Sequence, residues 1–412
     1  MYGANEAAVL DDPQLPRYIR ITDVKEDGTL HEDTFRSLEE HVAEPYLLQD
    51  GDILLARSGT VGKSFQYFAS WGRAAYAGYL IRYRTDQTVI LPRYAFYYCQ
   101  TACYWACIRS TSIQATIENF SAEKYKDLYL PIPQLDEQRQ IAAFLDWKTS
   151  QIDALITKKT DLVEKLKEKR TAIITRAATK GLDLSAPMRD SCIDWLGWVP
   201  RHWDIVPLGF LMTMSGGMTP STSKAEYWEG DIPWVTPKDM KQERISDSID
   251  HITEKALEET GLALIPDGAV LVVVRGMILA HSFPVGITER PVTVNQDMKA
   301  LRCGGELDAR FLFWCLTGFS KILSSLAQES AHGTLKVESD TLKKFAFPVP
   351  PIAEQRVIVR FLEGRLEYLD RLVETAGKTV TKLTDYRTAL ITAATTGQID
   401  VRHVAIPTPA QS

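Results

Sequence analysis

Two stretches of the chain repeat apolar residues every seven positions. In the first, Leu145, Ile152, Leu166 and Ile173 fall at heptad spacing, with Ile141, Leu155 and Leu162 at the partner positions. In the second, Leu362, Leu369, Leu383 and Leu390 keep the same rhythm, with Ile358 and Leu372 beside them. Seven-residue repeats sustained this long, with polar faces elsewhere, predict coiled-coil helices. Pro131-Ile132-Pro133 ends an extended stretch, so the first helix is expected from Leu135 or Asp136 to a glycine stop at Gly181. Lys148, Lys159 and Lys169 interrupt the first seam, and Thr379 and Tyr386 the second, which favours one specific pairing. The two helices are read as packing on each other. At 1.5 Å per residue ~45 residues reach roughly 65 Å, enough to act as a ruler between two bodies.

The segments around them carry a different pattern. IRITDV, DILLAR, YLIRY, AVLVVV, VGIT and MKALRC are short β-like runs bounded by Gly, Pro and Asp. RYAFYYCQTACYWAC and Ala309–Ala327 read as helices. Cys99, Cys103 and Cys107 recur every four residues and are expected on one buried helical face. A zinc site would need a fourth ligand, and no histidine lies nearby.

The chain also repeats itself. LPIPQLDEQRQIAAFLDWKTSQIDALI (Leu130–Ile156) aligns with FPVPPIAEQRVIVRFLEGRLEYLDRLV (Phe347–Val373) at an offset of 217 positions. Pro131, Glu137-Gln138-Arg139, Phe144-Leu145 and Asp153 recur as Pro348, Glu354-Gln355-Arg356, Phe361-Leu362 and Asp370. Arg170-Thr171-Ala172 recurs as Arg387-Thr388-Ala389. Upstream, DGDILLARSG (Asp50–Gly59) matches DGAVLVVVRG (Asp267–Gly276) more weakly. The order is body, helix, body, helix, with an α+β fold and a pseudo-twofold internal repeat.

Composition narrows the function. The chain has 412 residues, 47 Lys plus Arg and 53 Asp plus Glu, for a net charge of −6. That speaks against a bulk nucleic-acid coat but not against local basic patches. No apolar run spans a bilayer, the first residues lack a signal-peptide pattern, and six cysteines are too few for a disulfide scaffold. The expectation is a cytoplasmic chain without a membrane. ARSGTVGKS imitates a phosphate loop, but Arg57 stands where its first glycine belongs. It is read as a tight turn whose Arg57 and Lys63 are free to meet a phosphate. Dinucleotide, adenine-methyltransferase, nuclease and nucleophile motifs are missing, and the seven histidines do not cluster. A recognition or assembly protein is expected rather than an enzyme, with no metal.

The twice-used Pro-x-Pro, Glu-Gln-Arg and long helix ending in small residues and glycine resembles type I restriction-modification specificity subunits. GWVPRHWDIVPLGFL (Gly197–Leu211) and GGMTPSTSKAEYWEGDIPWVTPKDM (Gly216–Met240) resemble the entry of a target recognition domain. The resemblance covers nearly the whole chain. It implies two β-rich mixed target recognition domains, each reading half of a split duplex DNA site, separated by an antiparallel two-helix coiled coil. It implies partners, two methyltransferase subunits and restriction/translocase subunits, on which S-adenosylmethionine, ATP and Mg reside, with no cofactor on this chain. The divisions are a first recognition domain at 1–135, spacer helices at 136–182 and 353–400, a second recognition domain at 183–352, and a tail at 401–412. Alignment of the halves leaves the first body without a counterpart of roughly Asp190–Gly217. A late start codon, a truncated or inactive cassette, or a coiled-coil scaffold that never reads DNA are the alternatives.

DNA contact calls for base-edge hydrogen bonds, and for cations and hydroxyls at phosphates. In the second body the candidates are Thr219, Ser221, Thr222, Lys238, Lys241, Arg275, His281, Gln296, Thr334 and Lys336, with His332 nearby. In the first they are Arg57, Ser58, Lys63, Arg73 and Gln114.

Overall fold

The computed structural model describes residues 1–25, 28–112, 120–329 and 333–407. The chain divides into two compact units. Unit 1 comprises Met1–Leu162 and the chain from Ala376 onward, and unit 2 comprises Val163–Thr375.

In unit 1, strand β1 (Arg17–Ile19) pairs in parallel with β4 (Ala74–Tyr76). Strand β2 (Ile53–Ala56) lies between antiparallel β3 (Ser64–Gln66) and β5 (Leu80–Tyr83). Helices α1 (Pro92–Tyr98) and α2 (Ala102–Ser112) follow, and then α3 (Leu135–Lys180) begins. Pro92 sits in the first turn of α1, where its missing N–H costs nothing. The expected strand IRITDV is shorter than read, because Ile21–Asp23 turns into a 3-10 helix held by Asp23 Oδ2 accepting from the Arg20 N–H at 2.8 Å.

Unit 2 holds β6 (Asp204–Pro207), β7 (Met212–Gly216), β8 (Trp228–Val235), β9 (Arg244–Ile245), β10 (Asp250–Ile252), β11 (Val270–Val273), β12 (Val285–Thr288), β13 (Thr293–Val294) and β14 (Met298–Cys303). Helix α4 (Ala309–Gly318), β15 (Ala346–Val349) and the start of α5 (Ile352–Thr395) follow. One sheet has the order β9-β12-β11-β14-β7, another β10-β8-β13, and β6 pairs with β15. Strand β11 is buried throughout, as its unbroken apolar run requires.

The two units share one plan. β2 between β3 and β5 corresponds to β11 between β12 and β14, and the parallel pair β1–β4 corresponds to β8–β13. Unit 2 adds β7 beside β14, whereas beside β5 unit 1 has the isolated bridge Tyr2–Ile81.

The Glu-Gln-Arg repeat owes its glutamine to this plan. Gln138 is fully buried; its Oε1 accepts from the Leu91 N–H at 2.8 Å, and its Nε2 donates to Val89 O and Pro133 O at 2.9 and 2.8 Å. Gln355 repeats every bond with Asp308 N–H, Glu306 O and Pro350 O at 2.8, 2.8 and 2.9 Å. Each amide ties the long helix to the turn before the body helix and to its own proline turn. A hydrocarbon side chain there would orphan three backbone groups.

The helix seam differs from the sequence reading in register. Leu145, Ile152, Leu362 and Leu369 are buried, and Leu166, Ile173, Leu383 and Leu390 are half-buried, as a seam position requires. Ile141 and Ile358 are buried as the expected partners, but from Leu145 and Leu362 onward the partner positions lie four residues on, not three. Thr149, Ala177, Leu366 and Ala394 are buried, whereas Leu155, Leu162 and Leu372 are 48%, 41% and 36% exposed. The same shift puts Lys148, Lys169 and Tyr386 off the seam. Within unit 1, Ile141 and Leu145 of α3 share a core with Ile391 and Ala394 of α5. Within unit 2, Ile174, Ala177 and Ala178 share one with Ile358, Leu362 and Leu366. Gly181 ends α3 at φ +68°, as expected of a C-terminal glycine.

One further reading is corrected. The three cysteines do not share a buried face. The helix breaks after Tyr98, Thr101 Oγ1 accepts from the Tyr104 N–H at 3.1 Å to start α2, and Cys103 and Cys107 are exposed while Cys99 is buried. The chain beyond α5 packs on the body. Val401 is 3% exposed, and Val404 and Ile406 pack on the unit 1 core.

Candidate nucleic-acid interface

In unit 2, five loops are tied together by named bonds. Gly217 must be glycine, since a Cβ there would stand 1.6 Å from Val294 O. This close approach lays the 217–224 loop along the end of β13. Trp234 Nε1 donates to Met218 O at 3.0 Å, and Thr219 Oγ1 donates to Gln296 Oε1 at 2.8 Å. The Asn295 N–H donates to Val235 O at 3.1 Å, which joins 295–297 to the turn that follows β8. That turn is closed by Asp239 Oδ2, which accepts from the Thr236 N–H and hydroxyl, both at 2.8 Å, and it leaves Lys238 and Lys241 exposed. Arg275 Nη1 lies 3.6 Å from Asp297 Oδ1, and the Gly276 N–H donates to Leu335 O at 3.0 Å.

Thr219, Lys238, Arg275, Gln296 and Lys336 therefore belong to one connected rim, although up to 117 positions separate them in the sequence. Ser221 and Thr222 are exposed in the same first loop, and Trp228 Nε1 holds it by donating to Ser221 O at 3.2 Å. Thr334 is half-buried, and Lys336 is paired with Glu338 at 2.7 Å. His281 is exposed at the end of the 276–280 turn, and none of these bonds reaches it. Lys224 lies in the same loop as Thr219. Its Nζ donates to Tyr227 OH at 2.6 Å and sits 3.3 Å from Glu259, and those partners raise its pKa. The sequence reading had no means of finding the Trp228 and Trp234 anchors, whose indole donors fix the loop from below.

Unit 1 gathers less. Arg57, Ser58 and Lys63 share the β2–β3 turn, in which Gly59 and Gly62 take φ of +74° and +87°. The turn reading holds, but the cations are not free. Lys63 Nζ donates to Val24 O at 3.3 Å, and the Arg57 guanidinium lies 4.7 Å from the centre of the Tyr2 ring. Arg73 is exposed on another loop and bridged to Glu40. Gln114 and His332 lie outside the described residues. The turn is anchored as in unit 2. The Phe120 N–H donates to Arg57 O at 2.8 Å, and the repeat-related Val337 N–H donates to Val274 O at 2.9 Å.

Each unit also fixes its body to the long helix by an equivalent ion pair. Arg93 Nε donates to Asp146 Oδ1 at 2.7 Å, and Arg310 Nη1 lies 3.4 Å from Glu363 Oε1. Arg93 is further enclosed by the Phe96 and Tyr97 rings at 5.2 and 4.9 Å. Among the described residues no group of three or more His, Cys, Asp or Glu could hold a metal ion, and no helix is long and apolar enough to cross a membrane.

A duplicated α+β body on a duplicated long helix, with a polar loop rim on the second body, defines a class of two-headed recognition protein. The sequence matches the family described as type I restriction modification DNA specificity domain over residues 17–165 and 200–378, and the chain belongs to that family. It is 35% identical over 157 residues to the EcoR124I/EcoR124II specificity subunit of Escherichia coli, covering 38% of this chain and 39% of that protein. It is 32% identical over 188 residues to the MjaIX specificity subunit of Methanocaldococcus jannaschii, covering 44% of this chain and 41% of that one. The matched stretch thus spans about two fifths of the length of each. The StySPI specificity subunit of Salmonella potsdam is 24% identical over 380 residues, 87% of this chain and 77% of that one. A solved chain from a study of assembly and conformational transition in a type I restriction-modification system superposes with a TM-score of 0.72 at 15% identity, covering 93% and 92% of the two chains. It shares the fold.

Proposed function

We propose that this chain is the DNA-reading subunit of a type I restriction-modification complex, in which each unit reads one half of a split duplex target. The observation that carries this reading is the connected rim of unit 2, where hydroxyls, an amide and exposed cations are held by backbone contacts. Lys238 and Lys241 supply phosphate contacts that position the duplex. Gln296, its Oε1 engaged by Thr219, presents its amide to a base edge, and Arg275 is suited to a guanine. Methyl transfer with S-adenosylmethionine, and ATP- and Mg-dependent translocation and cleavage, belong to two methyltransferase and the restriction subunits that this chain addresses.

The test is duplex binding by the chain assembled with its methyltransferase partner, measured by fluorescence anisotropy across a salt series. One split sequence should bind ~10³-fold or more tighter than random duplex, with affinity falling steeply as salt rises. Equal binding of all duplexes at physiological salt would end this reading.

A further inference from the structure

Met277 and Ile278 stand side by side in the β11–β12 turn of unit 2, 63% and 45% exposed. Exposed apolar residues taken singly need no explanation. These two are held out by a turn that is fixed on both sides of them. The Gly276 N–H donates to Leu335 O at 3.0 Å, and the His281 and Ser282 N–H groups both donate to Ile278 O at 3.0 Å. Leu279, the next residue, is buried in the core of unit 2. Beyond it the Phe283 N–H donates to Ser320 Oγ at 2.8 Å. The pair is therefore presented on a preorganised frame, and a ligand that meets it has little backbone freedom to remove.

The internal repeat shows that the shared fold does not call for this pair. Val272 is partnered with Val285 where the repeat-related Leu55 is partnered with Ser64, so the unit 2 turn is four residues longer. At the aligned positions unit 1 has Thr60 and Val61, and Val61 is buried. The neighbours of Met277 and Ile278 are the cations of the rim. Arg275 leads into the turn, and Lys336 lies opposite it across an isolated bridge. Asp297 and Glu338 already pair with these two cations. Apolar side chains beside such cations fit a polyanion that itself carries an apolar group. Duplex DNA has one on its major-groove base edges, the C5-methyl of thymine, while the other groups there are hydrogen-bond donors and acceptors.

We propose that Met277 and Ile278 are specificity-determining residues that recognise a thymine by its C5-methyl group, in the half of the target read by unit 2. Arg275 and Lys336 hold the duplex beside the turn, and the apolar pair closes over the methyl and removes it from water. A cytosine at that position offers no methyl, so the contact is lost without any hydrogen bond changing hands on the protein. This rests on the DNA-reading role proposed above and adds to it the base that one turn selects.

The experiment uses the full chain assembled with its methyltransferase partner and the target duplex of the complex. Each thymine in the half-site read by unit 2 is replaced in turn by deoxyuridine, which deletes the methyl and keeps every hydrogen-bonding group. Binding is measured by competition anisotropy. The wild type should lose about threefold to fivefold in affinity at one or two of these positions, as burial of a single methyl implies. The double variant Met277→Ala, Ile278→Ala should bind the thymine and uridine duplexes alike. A half-site without an A·T pair, a wild type indifferent to every uridine, or a loss that persists undiminished in the double variant overturns the proposal. A double variant that no longer assembles with the methyltransferase, while the wild type ignores uridine, assigns the pair to a protein contact and overturns it too. The uridine series on the wild type needs no variant, so a folding defect in the variant leaves the test intact. If the wild type does not tell its target from random duplex, it is the DNA-reading role that fails.

Discussion

Arg387 Nε donates to Asp153 Oδ1 at 2.8 Å, and the repeat-related pair does the same, Arg170 Nε to Asp370 Oδ1 at 3.0 Å. Each arginine and each acid stands 217 positions from its counterpart, so one bridge is written twice with the helices exchanging roles. Within each unit, α3 and α5 run antiparallel past this bridge. The arginines are the more enclosed partners, 26% and 18% exposed, and each has a second acceptor, Gln100 for Arg387 and Glu243 for Arg170.

Reversing one charge, Arg387→Glu or Asp153→Arg, should destabilise unit 1 by about 1–2 kcal/mol in chemical denaturation, because like charges then face each other at a partly desolvated site. The double reversal should recover part of this, with a coupling of about 0.5–1.5 kcal/mol. Strictly additive destabilisation would mean that the bridge contributes nothing.

Replacing Gln138 or Gln355 by Leu should cost more than either charge reversal. Two carbonyls and one N–H are left without a partner at a fully buried site, at about 1–3 kcal/mol for each group. Thermal unfolding of the two single variants should show similar destabilisation, since the bonds are the same in both units. A neutral substitution at either site would contradict the clamp.

The glutamine clamp was legible in the sequence as a repeated motif, though not as a clamp, because its partners are backbone atoms that carry no sequence signature. The helices were legible and their seam was half legible. Leu155 and Leu162 attract a hydrophobicity-based reading, while the inward positions four residues along include polar residues: Thr149, hydrogen-bonded to Tyr97, and Arg170 and Arg387, each paired with an acid of the other helix. Apolar spacing cannot reveal a seam that carries its own ion pairs. The loop candidates were legible one by one. Their assembly was not, because the Thr219–Gln296 bond spans 77 positions and depends on Gly217 meeting Val294.

Alanine at Lys238 or Lys241 should weaken binding of all duplexes alike and reduce the salt slope by ~1 for each phosphate no longer neutralised. Gln296→Ala should instead relax preference at one base pair, by about 1–3 kcal/mol of discrimination. Anisotropy titrations against single-base variants of the target separate the two behaviours. A uniform weakening in all three variants would place Gln296 among the phosphate-binding residues.

Unit 1 buries tyrosines whose ionisation should oppose its fold. Burial pushes Tyr94, Tyr98 and Tyr125 up to about 12 from an ordinary 10.0. A phenol that titrates later folded than unfolded contributes stability fully present below its unfolded pKa and lost as pH rises through the folded value. Stability of unit 1 should therefore hold to about pH 10 and decline between about 10 and 12. Ultraviolet difference spectra should show these phenols ionising together with loss of near-ultraviolet circular dichroism. Ionisation at the ordinary pKa in an intact fold would contradict their burial.

The most direct measurement is single-molecule methylome sequencing of a host carrying this chain or a version with residues 193–347 exchanged for those of a relative. The account predicts a split motif with methyladenine on both strands, and an exchange that alters one half of it and leaves the other unchanged. Methylation independent of the chain, or an exchange that rewrites both halves together, would contradict it.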